Sequence, residues 1–366
     1  MSEATNVGFI CLYDSEWNPL GHWTAHPAKS WSLTRKALES DEFKAVCEGF
    51  ENSKKACFVA LHQQKGQIAY AAFCGIPSKD KSGLTSITGI DCRAIFNQEI
   101  LVDYTKTDGS GYYIPTSASG GNKPVTRLFT YLMSVVFIDN GIYPDISYEI
   151  DVSDLSFIDS DWKEYMLVRT KAIRNVYDEL MAACSVYNVY IDIVIGVDSE
   201  TNTFKLTFYA KRIYNVVGIR LSDFDAKIKN NQNVANRCMI RYGSNYTNGG
   251  CIYLYNDNTV GAVHNNKVMF PPVIATAYAD SPEEASANAY QMMYDNRYKD
   301  KVTIDLNSKL GPTIANLDFS YFGDLVGYNP ADESSIKRLP VSAVQTDHKG
   351  NKTITFGRLS KYWFLD

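Results

Sequence analysis

The chain has 366 residues, more than one hydrophobic core usually serves, so about two to four domains are expected. It is 45% hydrophobic and 21% charged, ordinary globular values that exclude disorder over most of its length. The formal net charge is −5 and no run of Lys or Arg occurs, which argues against tight binding of nucleic acid through its phosphates.

Aromatic residues reach 13%, including 25 Tyr, a type suited to sheets and interfaces where a ring is buried and its hydroxyl stays wet. No basic start followed by an apolar run marks an export signal, and the apolar run Leu128–Ile138 is too short to span a bilayer. Eight cysteines (Cys11, Cys47, Cys57, Cys74, Cys92, Cys184, Cys238 and Cys251) are scattered without a CxxC pair. They read as small buried apolar residues of a chain made in a reducing compartment, not as a disulfide framework.

In chain order, residues 1–30 are loop-rich. His22 and His26 lie four apart, but Trp23, Thr24 and Pro27 argue against a helix there, so a surface or packed pair is expected in place of metal ligands. Trp31–Leu38 and Phe43–Val46 read as short strands. Ala56–His62 and Gln67–Cys74 read as a hairpin about Gln63–Gly66, with further strands at Leu84–Ile90 and Glu99–Tyr104. Short strands without a strong helix predict a small antiparallel barrel or sandwich. Asp108–Gly111 and Ser117–Asn122 are polar and glycine-rich, and predict a boundary; they lack the GK[ST] of a phosphate loop.

The pattern then changes. Val125, Leu128, Phe129, Leu132 and Val136 mark an amphipathic helix ending at Gly141. A second helix is expected with Ile173, Val176, Tyr177, Leu180, Met181 and Cys184 on one face. Val189–Ile195 and Phe204–Phe208 alternate as a hairpin, giving an α+β insert. Strand patterns resume over 212–232 and in Asn236–Gly243, Cys251–Tyr255 and Thr259–Val263. Asp280–Glu284 is a helix start with Ser281 as cap, Pro282 in the first turn and Glu284 closing a capping box, and the helix runs over 282–298. Val302, Ile304 and Leu306 then alternate as a strand, a short strand follows around Tyr321–Tyr328 carrying Gly323–Gly327, and Leu339–Thr346 with Lys352–Phe356 flank the turn Asp347–Gly350.

The order of the Ser281 helix, the "GDLVG" strand and "PVSAVQTDHKGNKTITFG" resembles the C-terminal half of the tail-hub (tail-associated, baseplate-hub) proteins of long-tailed phages. Two further stretches fit that resemblance in the right order: "GIDCRAIF" after a strand of the first domain, and the "NRCMIRYG" strand after the α+β insert. The resemblance covers most of residues 30–357.

It implies a multidomain, β-rich α+β chain in which two small antiparallel β-barrel-like domains flank the insert. The expected divisions are 1–107, completed by 212–232; the α+β insert 108–211; strands plus the helix over 233–300; and a C-terminal barrel-like domain 301–366. It further implies a virion structural protein, made in the bacterial host cytoplasm and placed at the tail tip. There a homotrimeric hub would join the sixfold tail tube or ring to a threefold tip, and close the channel until the tape-measure protein and DNA leave. Implied partners are other copies of the chain, a distal tail ring protein, the tape-measure protein and receptor-binding or fibre proteins. DNA would pass without specific binding.

The suspected ring element is the C-terminal hairpin, with Val341, Val344, Gly350, Ile354 and Phe356. Only Arg358–Asp366 follow Gly357, so no lytic domain is expected there. No catalytic, metal or cofactor site is assigned, and the chain is not expected to be an enzyme. No GxSxG elbow, zinc spacing or calcium loop occurs, and Asp257 reads as part of a turn. Asp151, Asp154, Asp159 and Asp161 cluster, and two facing carboxylates suffice for glycoside hydrolysis, but such clusters more often form turns. The alternative reading, from the Tyr and Trp content, is a β-rich carbohydrate-binding host-adsorption protein.

Overall fold

A computed structural model describes residues 8–20, 26–48, 55–62, 68–102, 123–138, 147–161, 172–187, 189–197, 204–212, 214–220, 226–229, 234–256, 259–296, 301–305, 323–328 and 337–356. The first unit holds β1 (Phe9–Tyr13), β2 (His26–Lys36), β3 (Glu42–Glu48), β4 (Phe58–His62), β5 (Ile68–Cys74), β6 (Ser78–Lys79) and β7 (Leu84–Ile90). All pair antiparallel, and the path β1–β4–β5–β7–β3–β2 returns to β1 through Phe9↔Pro27 and Ile10↔His26. The β5–β7 seam is equally short, Phe73↔Ile90 and Cys74↔Gly89. Gly89 is needed there: a Cβ would stand 3.0 Å from both the Ala72 Cβ and the Phe43 ring.

Alternation explains why β4 reads as an unbroken apolar run. Val59 and Leu61 face the interior of this unit with Ile10, Phe43 and Ile87, while Phe58 and Ala60 face a second core outside it. That second core belongs to the insert. It comprises a 3-10 turn at Cys92–Phe96, β8 (Glu99–Val102), α1 (Pro124–Ile138), β9 (Ser147–Asp151), a 3-10 segment Ser153–Asp161, β10 (Ala172–Asn175), α2 (Val176–Tyr187), β11 (Val189–Val197) and β12 (Phe204–Arg212). β11 and β12 form the expected hairpin, β9 adds parallel to β12, and Leu128, Leu132, Leu180 and Cys184 of the two helices pack on Leu206 and Phe208.

Three expectations need correction. Ile173 does not lie on a helix: it sits in β10, paired with Leu101 of β8, and is 72% exposed. The Asn175 side chain accepts from Asp178 N–H at 3.3 Å, so α2 starts only after this cap. Residues 212–232 do not complete the first unit: β13 (Tyr214–Arg220) and β14 (Ala226–Lys229) pair with strands from the C-terminal part of the chain. The expected Thr259–Val263 strand shortens to Val260–Gly261, which pairs antiparallel with Leu254 and Tyr253.

A four-stranded sheet, order β17–β16–β15–β18, is built from β15 (Arg237–Tyr242), β16 (Thr247–Leu254), β17 (Val260–Gly261) and β18 (Ile274–Ala279). α3 (Pro282–Asp295) packs Ala285, Ala289 and Met293 on its Cys238, Ile252 and Ala277. Ser281 Oγ caps α3 by accepting from Glu284 N–H at 3.2 Å. The last strands are β19 (Lys301–Asp305), β20 (Gly323–Tyr328), β21 (Lys337–Asp347) and β22 (Lys352–Phe356). β20 pairs parallel to β13 and antiparallel to β21; β22 links β21 to β19, and β19 pairs with β14. The whole is β-rich and multidomain, with three α-helices among the described residues. The 108–111 and 117–122 boundaries, Gly141, His22, Asp257, Leu306, residues 358–366 and the side chains of Asp161 and Phe356 lie outside the described residues.

Candidate functional site

The C-terminal hairpin is where the two β units become one sheet. β21 has eleven residues, and its C-terminal half is paired on both edges. One edge meets β22. The other meets β2 of the first unit, from Ser32↔Asp347 to Lys36↔Ala343. Ala37 N–H donates to Ser342 O at 3.0 Å and His348 N–H to Trp31 O at 3.0 Å, extending the seam past both ends of that ladder.

A strand in this position needs small or branched residues on both faces, and Val341, Ser342, Ala343 and Val344 are all buried, with Ile354 of β22. The turn is closed by Asp347, whose carboxylate accepts from Lys349 N–H (2.9 Å), Asn351 N–H (3.0 Å) and Asn351 Nδ2 (2.8 Å). Burial opposes ionisation of Asp347, but these donors hold it below the usual carboxylate range. Gly350 has φ +79°, the left-handed conformation expected at this turn. The structure therefore brings Val341, Val344, Gly350 and Ile354 together on one hairpin.

A second feature adjoins this seam. Arg93, 3% exposed, sits in the first turn after "GID". Its Nε donates to Asp91 Oδ2 (2.7 Å), one terminal nitrogen to Ala37 O (3.2 Å), and the other to Glu39 O (2.6 Å) and Asp41 Oδ1 (2.8 Å). Asp91 also accepts from Arg93 N–H (2.9 Å) and Asp41 N–H (2.8 Å), and Asp41 from Lys36 N–H (2.7 Å). Burial pushes the Asp41 carboxyl up to about 6, against the pull of the Arg93 charge. The Tyr70 phenol is raised by its burial and by the Asp41 and Asp91 charges.

Arg35 connects this node to the rest of the molecule. It lies on β2 opposite Val344, and its guanidinium reaches Asp192 of β11 at 2.7 Å and Asp41 at 3.7 Å. β2 is thus the strand at which the first unit, the C-terminal unit and the insert meet. An aromatic cluster strengthens the contact with the insert: Tyr13 stacks on Trp17 at 4.2 Å, and Phe204 of β12 lies 4.8 Å from Phe58 and 6.1 Å from Trp17. Asp91 and Arg93 were legible as part of "GIDCRAIF"; Arg35, Asp41 and Asp192 had no local signal.

The Asp-rich stretch serves the backbone. Asp159 accepts from Thr126 N–H and Oγ1, both at 2.9 Å, capping α1. Asp154 accepts from Arg212 N–H at 2.7 Å, and Asp151 from Ser153 N–H at 2.9 Å. Among the described residues no group of three or more His, Cys, Asp or Glu is placed to hold a metal ion, and no helix is long and apolar enough to cross a membrane.

No protein-family model matches the sequence, and no curated protein matches it. Solved structures do match the fold. A prophage tail protein, gp18 from Listeria monocytogenes, superimposes with TM-score 0.52 at 11% identity, over 96% of this chain and 94% of that one. A tail protein from Neisseria meningitidis gives TM-score 0.50 at 9% identity, over 97% of this chain and 98% of that one. The likeness read from the sequence thus holds at the level of fold, along nearly the whole chain.

Proposed function

We propose that the chain is a structural protein of a phage tail, a homotrimeric hub at the distal end. The observation that carries this reading is the β2–β21 seam, in a chain whose fold likeness to two tail proteins runs almost end to end. The ring of pairings β1–β4–β5–β7–β3–β2 serves as one barrel-like half, and β13, β14 and β19–β22 as the other. Three chains then offer six such halves to a sixfold tube or distal ring, reconciling the two symmetries. On this reading the partners are other copies of the chain, the distal ring protein, the tape-measure protein and fibre or receptor-binding proteins. Its place is the virion tail tip after synthesis in the host cytoplasm, where it closes the channel until ejection. DNA passes unbound, in keeping with the net charge of −5.

The chain has no catalytic role in this reading, and purified protein should turn over neither peptidoglycan nor capsule. Light scattering coupled to gel filtration should give about three times the 41.1 kDa chain mass. Ile354→Ala, which empties a site with no exposure beside the seam, should dissociate the trimer while the helical circular dichroism of the insert persists. A monomer at all concentrations, unchanged by the ring partner, would sink the proposal. One observation favours the carbohydrate-binding alternative: Tyr246 and Tyr278 stand exposed with ring centroids 5.1 Å apart. Glycan-array binding lost in Tyr278→Ala, by a protein that stays monomeric, would select it.

A further inference from the structure

The cysteines that sequence spacing left unpaired include two that the β4–β5 register brings face to face. Val59 pairs with Ala72 and Phe58 with Phe73, so one step outward sets Cys57 opposite Cys74. One backbone bond continues past the end of the ladder: Cys74 N–H donates to Cys57 O at 2.8 Å, while Cys57 N–H donates to Tyr13 O of β1 at 2.8 Å. Val59 and Ala72, one alternation along, both project into the interior of the first unit, against which Cys74 also packs, while Cys57, just before β4, is exposed and its neighbour Ala56 packs on that interior. Opposed Cα atoms in an antiparallel ladder lie about 4.5–5.5 Å apart, within the roughly 4.4–6.8 Å that a disulfide spans. Cys238 and Cys251 lack this relation: Cys251 opposes Met239, and Cys238 opposes Ile252.

We propose that Cys57 and Cys74 form a cross-strand redox pair, which a small-molecule disulfide converts into a staple between β4 and β5. Cys57 is exposed and Cys74 half-buried. Burial pushes the Cys74 thiol up to about 11, so Cys57 reacts first. Its thiolate attacks one sulfur of the small disulfide, forming a mixed disulfide and releasing one thiolate. The Cys74 thiolate then attacks the Cys57 sulfur and expels the second thiolate. Two protein thiols are oxidised, the small disulfide is reduced to two thiols, and the protons from the protein thiols end on them. In the reduced chain each sulfur rests on a local carbonyl, Cys57 Sγ on Lys55 O at 3.8 Å and Cys74 Sγ on Gly75 O at 3.2 Å, so forming the bond sacrifices only weak contacts. The staple lies beside the β5–β7 seam, one of the two shortest pairings of the ring. This chemistry is independent of the tail reading.

The test uses the folded full-length chain, equilibrated with oxidised glutathione, quenched with acid and denatured. Free thiols should fall from eight to six, the intact mass should drop by two hydrogens, and peptide mapping should join Cys57 to Cys74. Cys74→Ser, confirmed folded by circular dichroism, should stop at a glutathione adduct on Cys57, and Cys57→Ser should lose no thiol. Three results would each overturn the pair: a wild-type chain that stops at the Cys57 adduct, one that keeps all eight thiols, or one that joins Cys57 to another cysteine.

Discussion

Arg93 is almost fully removed from water, and each of its three guanidinium nitrogens meets an oxygen. Such a group is costly to bury and costlier to remove, since Asp41 and Asp91 would then stay buried without their cation. Arg93→Ala should therefore destabilise the chain by about 3–5 kcal/mol, read from urea midpoints. A loss below about 1 kcal/mol, the range of exposed pairs, would mean that water reaches the node. The pH dependence follows from Asp41. Its folded value of about 6 lies above the ordinary 3.8, so the folded state holds a proton that the unfolded chain releases between those values. The stability this contributes is complete below 3.8 and is lost as pH rises through about 6. On going from pH 7 to pH 5 the wild type should gain stability relative to Asp41→Asn. Parallel profiles would contradict the buried, proton-holding carboxyl. Only the Asp91–Arg93 half of this node was legible in the sequence, because two residues of one turn can be seen locally. Arg35, Asp41 and Asp192 meet through tertiary structure alone.

At the scale of elements, periodicity located most strands and all three α-helices, but helix ends depended on distant groups. α1 begins at Pro124 after Lys123, which offers no capping oxygen, and Asp159 supplies one from 33 residues away. The acidic cluster, for which turns are the expected reading over a glycoside-hydrolysing pair, has a capping use at Asp159. Asp159→Ala should cost about 1 kcal/mol, with Asp159→Asn close to wild type, since Asn caps as well as Asp. Equal losses in the two variants would assign the effect to charge instead of capping. α2 shows the reverse error. Ile173 continues the apolar spacing backward, yet the Asn175 cap and the bond from Val176 N–H to Gln98 O (3.0 Å) end β10 first. A local cap outranked a hydrophobic period.

At the scale of the molecule, the β / α+β / β order was legible, but the destination of residues 212–232 was not. A parallel pairing such as Tyr214↔Gly323 joins strands about a hundred residues apart, and nothing in either strand names its partner. The same holds for β2 and β21, on which the unity of the chain depends. Cohesion between the first unit and the insert includes, beside the apolar packing of Ala60, two contacts of different kinds, the aromatic cluster of Tyr13, Trp17, Phe58 and Phe204 and the Arg35–Asp192 ion pair. The pair is mostly buried, at 21% and 17% side-chain exposure, but each partner has a second ion: Arg35 reaches Asp41, and Asp192 reaches Lys211 at 3.5 Å. A double-mutant cycle with Arg35→Ala and Asp192→Ala should therefore give a coupling inside the range of about 0.5–3 kcal/mol, not at its upper end. If the pair holds the units in one cooperative block, the double variant should also split a single urea transition into two. Additive single effects with one unbroken transition would instead assign the cohesion to the aromatic cluster, and Trp17→Ala would then be the change that separates insert from sheet.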